Sequence, residues 1–325
     1  MRSSLLLATS LLAAIGLNAG CGKSPVNSPA STSDIPSLDQ AQVASVIAIE
    51  PEVVEDGQFE SADITSLGAG AGPGATGTLA AINPLCFWRV ITSVERRFEF
   101  AFADSDSTGR PTTAIVTVHK SLAGRFNILT GVPGSDSTAL DSSLSVIHKP
   151  LADRWVRRVL LKRGPAADSA ACAWRVVATS GVKVTSRSAT TQIASLRFQT
   201  AGVDTTITDP LRFFHLRRIL KLEPGTPVTL TVTTLKNDDV VVMCRFGHRF
   251  RFHNNGDNTY TGVWQVPDLR QGNCPQPGPG RAPIFHFGVN ALSHGTLFDD
   301  QAPYDSRAWL LPVVLAPDQV ADALP

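Results

Sequence analysis

The chain has 325 residues with 29 Lys and Arg against 28 Asp and Glu, a formal charge of +1, so no overall basic excess points to a nucleic-acid partner. Its 25 Gly, 22 Pro and only 2 Met, with many Thr and Val, favour strands over long helices, and the length suffices for two domains with their own cores. The chain contains no His-Glu-x-x-His, no Gly-x-Ser-x-Gly, no Ser-x-x-Lys with a partner Lys-Thr-Gly, no phosphate loop and no Gly-x-Gly-x-x-Gly after a strand, which lowers the odds of an enzyme.

Arg2 precedes LLLATSLLAAIGL, an apolar run ending at Leu17 that is shorter than the ~20 residues of a membrane-crossing helix, so residues 1–20 read as a secretory signal. The run closes on Asn18, Ala19, Gly20 and Cys21, and small residues before a cysteine resemble a bacterial lipoprotein precursor. That resemblance implies a lipid on Cys21, a membrane partner reached through it and, with Gly22 rather than Asp next, passage to an outer membrane or cell surface. Leu17 stands one place earlier than the pattern places it, and ordinary cleavage after Ala19 is the alternative. Residues 21–36, rich in Ser and Pro, form a tether that cannot bury a core.

Residues 37–66 read as an acidic helical segment. Ser37-Leu38-Asp39-Gln40 spells a capping box, and apolar residues at near-helical spacing predict one short helix from about Leu38 to Glu50, before Pro51. Between Asp34 and Asp63 stand eight acids and no Lys or Arg, whereas Arg154–Arg163 spells RWVRRVLLKR. The two stretches either dock on one another or stay solvated, the latter being the blander expectation. Residues 67–78, with GAGAGPGATG, form a linker.

Residues 79–207 read as an antiparallel β domain of six to eight short strands. Phe98, Phe100 and Phe102 alternate with Arg97, Glu99 and Ala101, which puts the rings on one strand face. Asp104 and Asp106 have the early spacing of a calcium loop, but no closing Glu follows, so a polar hairpin turn is expected. An exported chain pairs its cysteines. Cys86, Cys172, Cys244 and Cys274 permit three pairings, and Cys86 with Cys172 and Cys244 with Cys274 keeps each bridge within one domain. CFWRV at Cys86 and CAWRV at Cys172 would then be two strands joined by a staple, with Trp88 and Trp174 nearby.

The Thr, Asp and Pro of Asp204–Pro210 suggest a boundary, after which residues 208–316 carry further strands and residues 317–325 a tail. Val228, Leu230 and Val232 alternate with Thr229, Thr231 and Thr233, and Asn255-Gly256-Asp257 marks a hairpin. With PGTPVTLTVTT and GDNTYTGVW, this stretch resembles the immunoglobulin-like and fibronectin-III-like β-sandwich modules of bacterial surface proteins. The expected fold is mainly β: two antiparallel sandwich or partial-barrel domains behind a signal peptide and a short acidic helix.

Candidate chemistry is sparse. His248, His253, His286 and His294 fall in the last module, where zinc would need three or four to converge. Asp299, Asp300 and Asp305 could chelate calcium, though loop solvation and turn capping account for them as well, and no cofactor is expected. The leading expectation is a non-catalytic, lipid-anchored envelope protein that displays loops to a protein or glycan, with no nucleic acid. An exported hydrolase or accessory module with a His/Asp site in the C-terminal region is the alternative.

Overall fold

The computed structural model describes residues 35–49, 64–67, 82–131, 144–164, 174–245, 248–267 and 284–315. The signal peptide, Cys21 and most of its tether, nearly all of the Gly-rich linker, Cys172, Cys274 and the tail lie outside the described residues. Helix α1 spans Ile35–Ile49, starting two residues before Ser37. Pro36 explains the earlier start, because proline sits in a first helical turn without losing a hydrogen bond.

The rest is mainly β. Strand β1 (Thr65–Ser66) is followed by β2 (Pro84–Ser105), β3 (Pro111–Thr130), β4 (Ser145–Arg163) and β5 (Trp174–Ser186). Next come β6 (Ile193–Gln199), β7 (Asp204–Ile207), β8 (Phe213–His215), one 3-10 turn (Leu216–Arg218), β9 (Leu220–Leu222) and β10 (Pro227–Thr234). The chain then adds β11 (Val240–Arg245), β12 (His248–Arg251), β13 (His253–Asn254), β14 (Thr259–Gln265), β15 (Ile284–Leu292), α2 (His294–Phe298) and β16 (Ser306–Leu315).

A large, nearly closed sheet runs β1-β2-β3-β4-β5-β16-β15-β11-β12, with β8 beside β5 and β9 beside β16. Its two ends approach each other, and Arg249 on β12 donates to the Thr65 hydroxyl on β1 at 3.3 Å. A second sheet, β13-β14-β10-β6-β7, packs its apolar face over β11, β15 and β16 of the first. Val228, Leu230 and Val232 on β10 are fully buried there, each worth about 1.5–3 kcal/mol of burial, while Thr229, Thr231 and Thr233 face outward.

Strands β2, β3 and β4 have 22, 20 and 19 residues, far longer than the short strands the turn residues suggested. Gly124 is the reason that β3 does not break. A Cβ there would lie 2.0 Å from the Val90 carbonyl oxygen, so this glycine permits a close strand approach rather than a turn. The register slips opposite it, between Ile91 and Ser93, and the inward set of β2 changes from Phe87, Arg89 and Ile91 to Val94, Arg96 and Phe98. Arg154–Arg163, which could also be read as a helix, belongs to β4.

Asp204–Pro210, expected as a boundary, contains β7 itself. The division at residue 207 is bridged twice, by pairing of β5 with β16 and of β6 with β10, so the cores on either side share a sheet.

Cys86 and the described part of the second Cys-x-Trp-Arg-Val copy, from Trp174 onward, stand far apart, and Cys172 itself lies outside the described residues. Cys86 opposes Leu129, which opposes Val146, at one end of the long strands, whereas Trp174 opposes Arg163 at the other. That separation is about 60 Å of strand at 3.3 Å per residue, against the roughly 7 Å that a disulfide spans between Cα atoms. Cys86 accordingly carries a free thiol, whose pKa burial raises. Cys244 lies on β11 opposite Arg249 and Gly288, and its expected partner is outside the described residues. The copies also face opposite ways: Arg89 is buried and Trp88 half-buried, while Trp174 is buried and Arg175 exposed.

Candidate functional site

The inner face of the large sheet is set by alternation. Lys149, Leu151, Asp153, Trp155, Arg157 and Val159 are its β4 members, so charged groups stand among apolar ones on the buried side. Arg89 on β2 lies 3.7 Å from Asp153 with both side chains almost fully buried. Tyr304, in the segment between α2 and β16, joins them: Arg89 donates to its hydroxyl at 2.8 Å, and that hydroxyl donates to Asp153 at 3.1 Å. Since the phenolic hydrogen is used on Asp153, the Ser306 hydroxyl at 2.6 Å is the donor in its contact with Tyr304. Burial raises the Asp153 and Tyr304 pKa values, so the tyrosine remains a neutral donor at physiological pH.

Asp305 makes a second knot. Its carboxylate accepts from the Ser186 hydroxyl at 2.8 Å, the Thr191 amide at 3.0 Å, the Thr191 hydroxyl at 3.1 Å and the Thr190 hydroxyl. Burial alone would raise its pKa, but these donors outweigh burial and hold it below the usual aspartate value. Lys149 closes a third, donating to the carbonyl oxygens of Gly295 at 3.1 Å and Asp299 at 2.5 Å at the end of α2. A cation suits that end of a helix, although burial, opposed by Asp299 and Asp300, lowers its pKa to about 8.

The three aspartates considered for calcium do different things. Asp305 points to the 186–191 segment, Asp299 accepts from the Gln301 amide at 2.9 Å, and Asp300 is exposed. The histidines are equally dispersed. His286 is buried on the inner face of β15, His294 stacks on Phe298 with ring centroids 4.6 Å apart, and His253 is exposed on β13. The His248 side chain lies outside what is described. Among the described residues, no three His, Cys, Asp or Glu side chains converge. Asp104 and Asp106 build the β2–β3 turn: Asp106 accepts from the Thr108 and Arg110 amides at 2.8 and 3.0 Å, and Asp104 from the Thr113 hydroxyl at 2.7 Å.

The helix is docked rather than solvated. Val43 and Ile47 pack with Val116, Trp174 and Val182 inside the curl of β3 to β5. Asp39 at the start of α1 pairs with Arg163 at the end of β4, whose guanidinium also lies 4.6 Å from the Trp174 ring centroid.

Sequence reading missed Arg89, Asp153, Tyr304 and Lys149. The available signal was parity: Asp153 and Arg157 share a strand face with Leu151, Trp155 and Val159. Comparison of the chain with known protein families, with curated proteins and with solved structures gives no match.

Proposed function

We propose that this chain is an exported, membrane-anchored, non-catalytic β protein of the cell envelope, attached through Cys21 and presenting its sheets and loops to a partner. One observation carries the reading: Arg89, Asp153, Tyr304 and Asp305 are buried and committed to hydrogen bonds that tie the strands and segments together. Asp153, Tyr304 and Arg89 hold β2, β4 and β16 together, and Asp305 holds the 186–191 segment. Such groups serve the architecture, which leaves the outer surfaces to meet a partner. The outer faces of β2 to β4 carry Arg97, Glu99, Arg125, Arg154 and Lys162, a pattern suited to water and not to acyl chains.

Intact-mass and peptide mass spectrometry of the purified, unreduced protein tests the reading. A chain starting at Cys21 with acyl mass supports it, and a Cys21→Ser variant should leave the membrane fraction. Recovery of a chain that still begins at Met1 with its leader uncut overturns it.

A further inference from the structure

The near-neutral total charge conceals a local basic surface. On the outer face of β4, Arg154, Arg158 and Lys162 recur at alternate-residue parity, and β5 adds Arg175 and Lys183 beside them. Lys162 and Arg175 are direct cross-strand neighbours, an arrangement of like charges that opposes sheet stability. The surface extends onto β8, where the Arg158 guanidinium lies 4.9 Å from the Phe213 ring centroid and the neighbouring Arg212 lies 4.9 Å from that of Phe214. None of these six cations forms an ion pair with a described residue, in contrast to Arg163, Arg197 and Arg89. The half-buried Leu160, Val156 and Phe213 stand between them, so apolar groups and cations share one face, while Phe214 packs against the apolar core.

The position of α1 relates this face to the anchor. Asp39 is bound to Arg163, next to Lys162, so the helix begins at the same end of β4 as the Lys162–Arg175 pair. Thirteen residues lie between Cys21 and Ile35, at most about 50 Å of extended chain.

We propose that this basic face seats on the anionic phospholipid headgroups of the membrane to which Cys21 is attached. The inference rests on the lipid-anchor reading above and adds a second, electrostatic contact to it. Each Lys or Arg held near an anionic membrane surface contributes about 1 kcal/mol of attraction, so the patch adds an electrostatic contact to the anchor's hydrophobic one. The aliphatic and aromatic side chains among the cations suit the headgroup boundary.

The mature chain is mixed with phosphatidylcholine vesicles and with vesicles containing about a third phosphatidylglycerol, at low and high salt. Tighter binding to the anionic vesicles is expected, with the difference closing at high salt. R154Q/R158Q/K162Q should weaken anionic-vesicle binding about a hundredfold, at about fivefold per charge removed. R175Q/K183Q/R212Q should act alike, and melting curves matching the parent show that each variant is folded. Equal binding to both vesicles, parent-like binding by the folded variants, or a preference for duplex DNA over the anionic vesicles overturns the proposal. Failure of the anchor reading looks different: attachment to phosphatidylcholine vesicles is then lost while the dependence on anionic lipid persists.

Discussion

At the residue scale, the buried ion pair is the feature most sensitive to change. Asp153→Asn keeps the shape and the Tyr304 contact but removes the carboxylate from Arg89. Breaking one side of a buried pair costs about 3–5 kcal/mol, and denaturant titration should show a loss of that order. Replacing both partners, as in Arg89→Met with Asp153→Leu, should recover most of it, because apolar side chains of similar volume do not need the missing charge. Asp239, at the edge of β11, illustrates the opposite case. It is 2% exposed, neither carboxylate oxygen has a hydrogen-bond partner among the described residues, and burial raises its pKa to about 6, with Asp238 adding to the rise and the neighbouring Thr234 and Lys236 opposing it. A raised carboxyl pKa favours folding below the unfolded value near 4, and that contribution is lost as pH rises through about 6. Asp239→Asn should therefore stabilise the protein at pH 7 by up to about 3 kcal/mol and gain little at pH 4, checked by melting curves at the two pH values.

At the element scale, the long strands depend on local departures from regularity. Gly124→Ala places a methyl group against the Val90 carbonyl oxygen, where backbone must move; a loss of several kcal/mol is expected, whereas Gly202→Ala, with open space around it, should change stability little. Thermal unfolding of the two variants side by side checks this. The same glycine shows what was readable beforehand. Alternation placed Phe98, Phe100 and Phe102 on one face and Val228, Leu230 and Val232 on another, because strand periodicity is local. Asn255-Gly256 announced its hairpin for the same reason, and Gly256 has a φ of +88°. Nothing local separates a glycine that ends a strand from one that lets a neighbour approach, so Gly124 does not announce that β3 runs unbroken through it. The Arg89–Tyr304 contact spans 215 residues and the Tyr304–Asp153 contact 151, separations over which no spacing pattern operates. The two Cys-x-Trp-Arg-Val copies show the same limit: shared spelling suggests kinship, but register carries Cys86 and Trp174 to opposite ends of the long strands.

At the scale of the whole molecule, the shared sheet determines cooperativity. Strands from both sides of residue 207 pair in both sheets, and the apolar faces of β11, β15 and β16 complete the core over β6 and β10. Calorimetry should show one principal transition for the body of the protein, with calorimetric and van't Hoff enthalpies in agreement. A fragment ending at residue 207 should fail to fold, because β5 would lose β16 and β6 would lose β10. Two resolved transitions would mean that the halves melt separately.

The contact that brings β12 to β1 joins positions 184 apart in sequence, and closure therefore waits until most of the polypeptide has been made. Such non-local topology slows folding, since chain entropy is lost before the final pairings form. Under the export proposed above, that delay would keep the polypeptide open for a translocase: the ring cannot shut while its last staves remain on the ribosome.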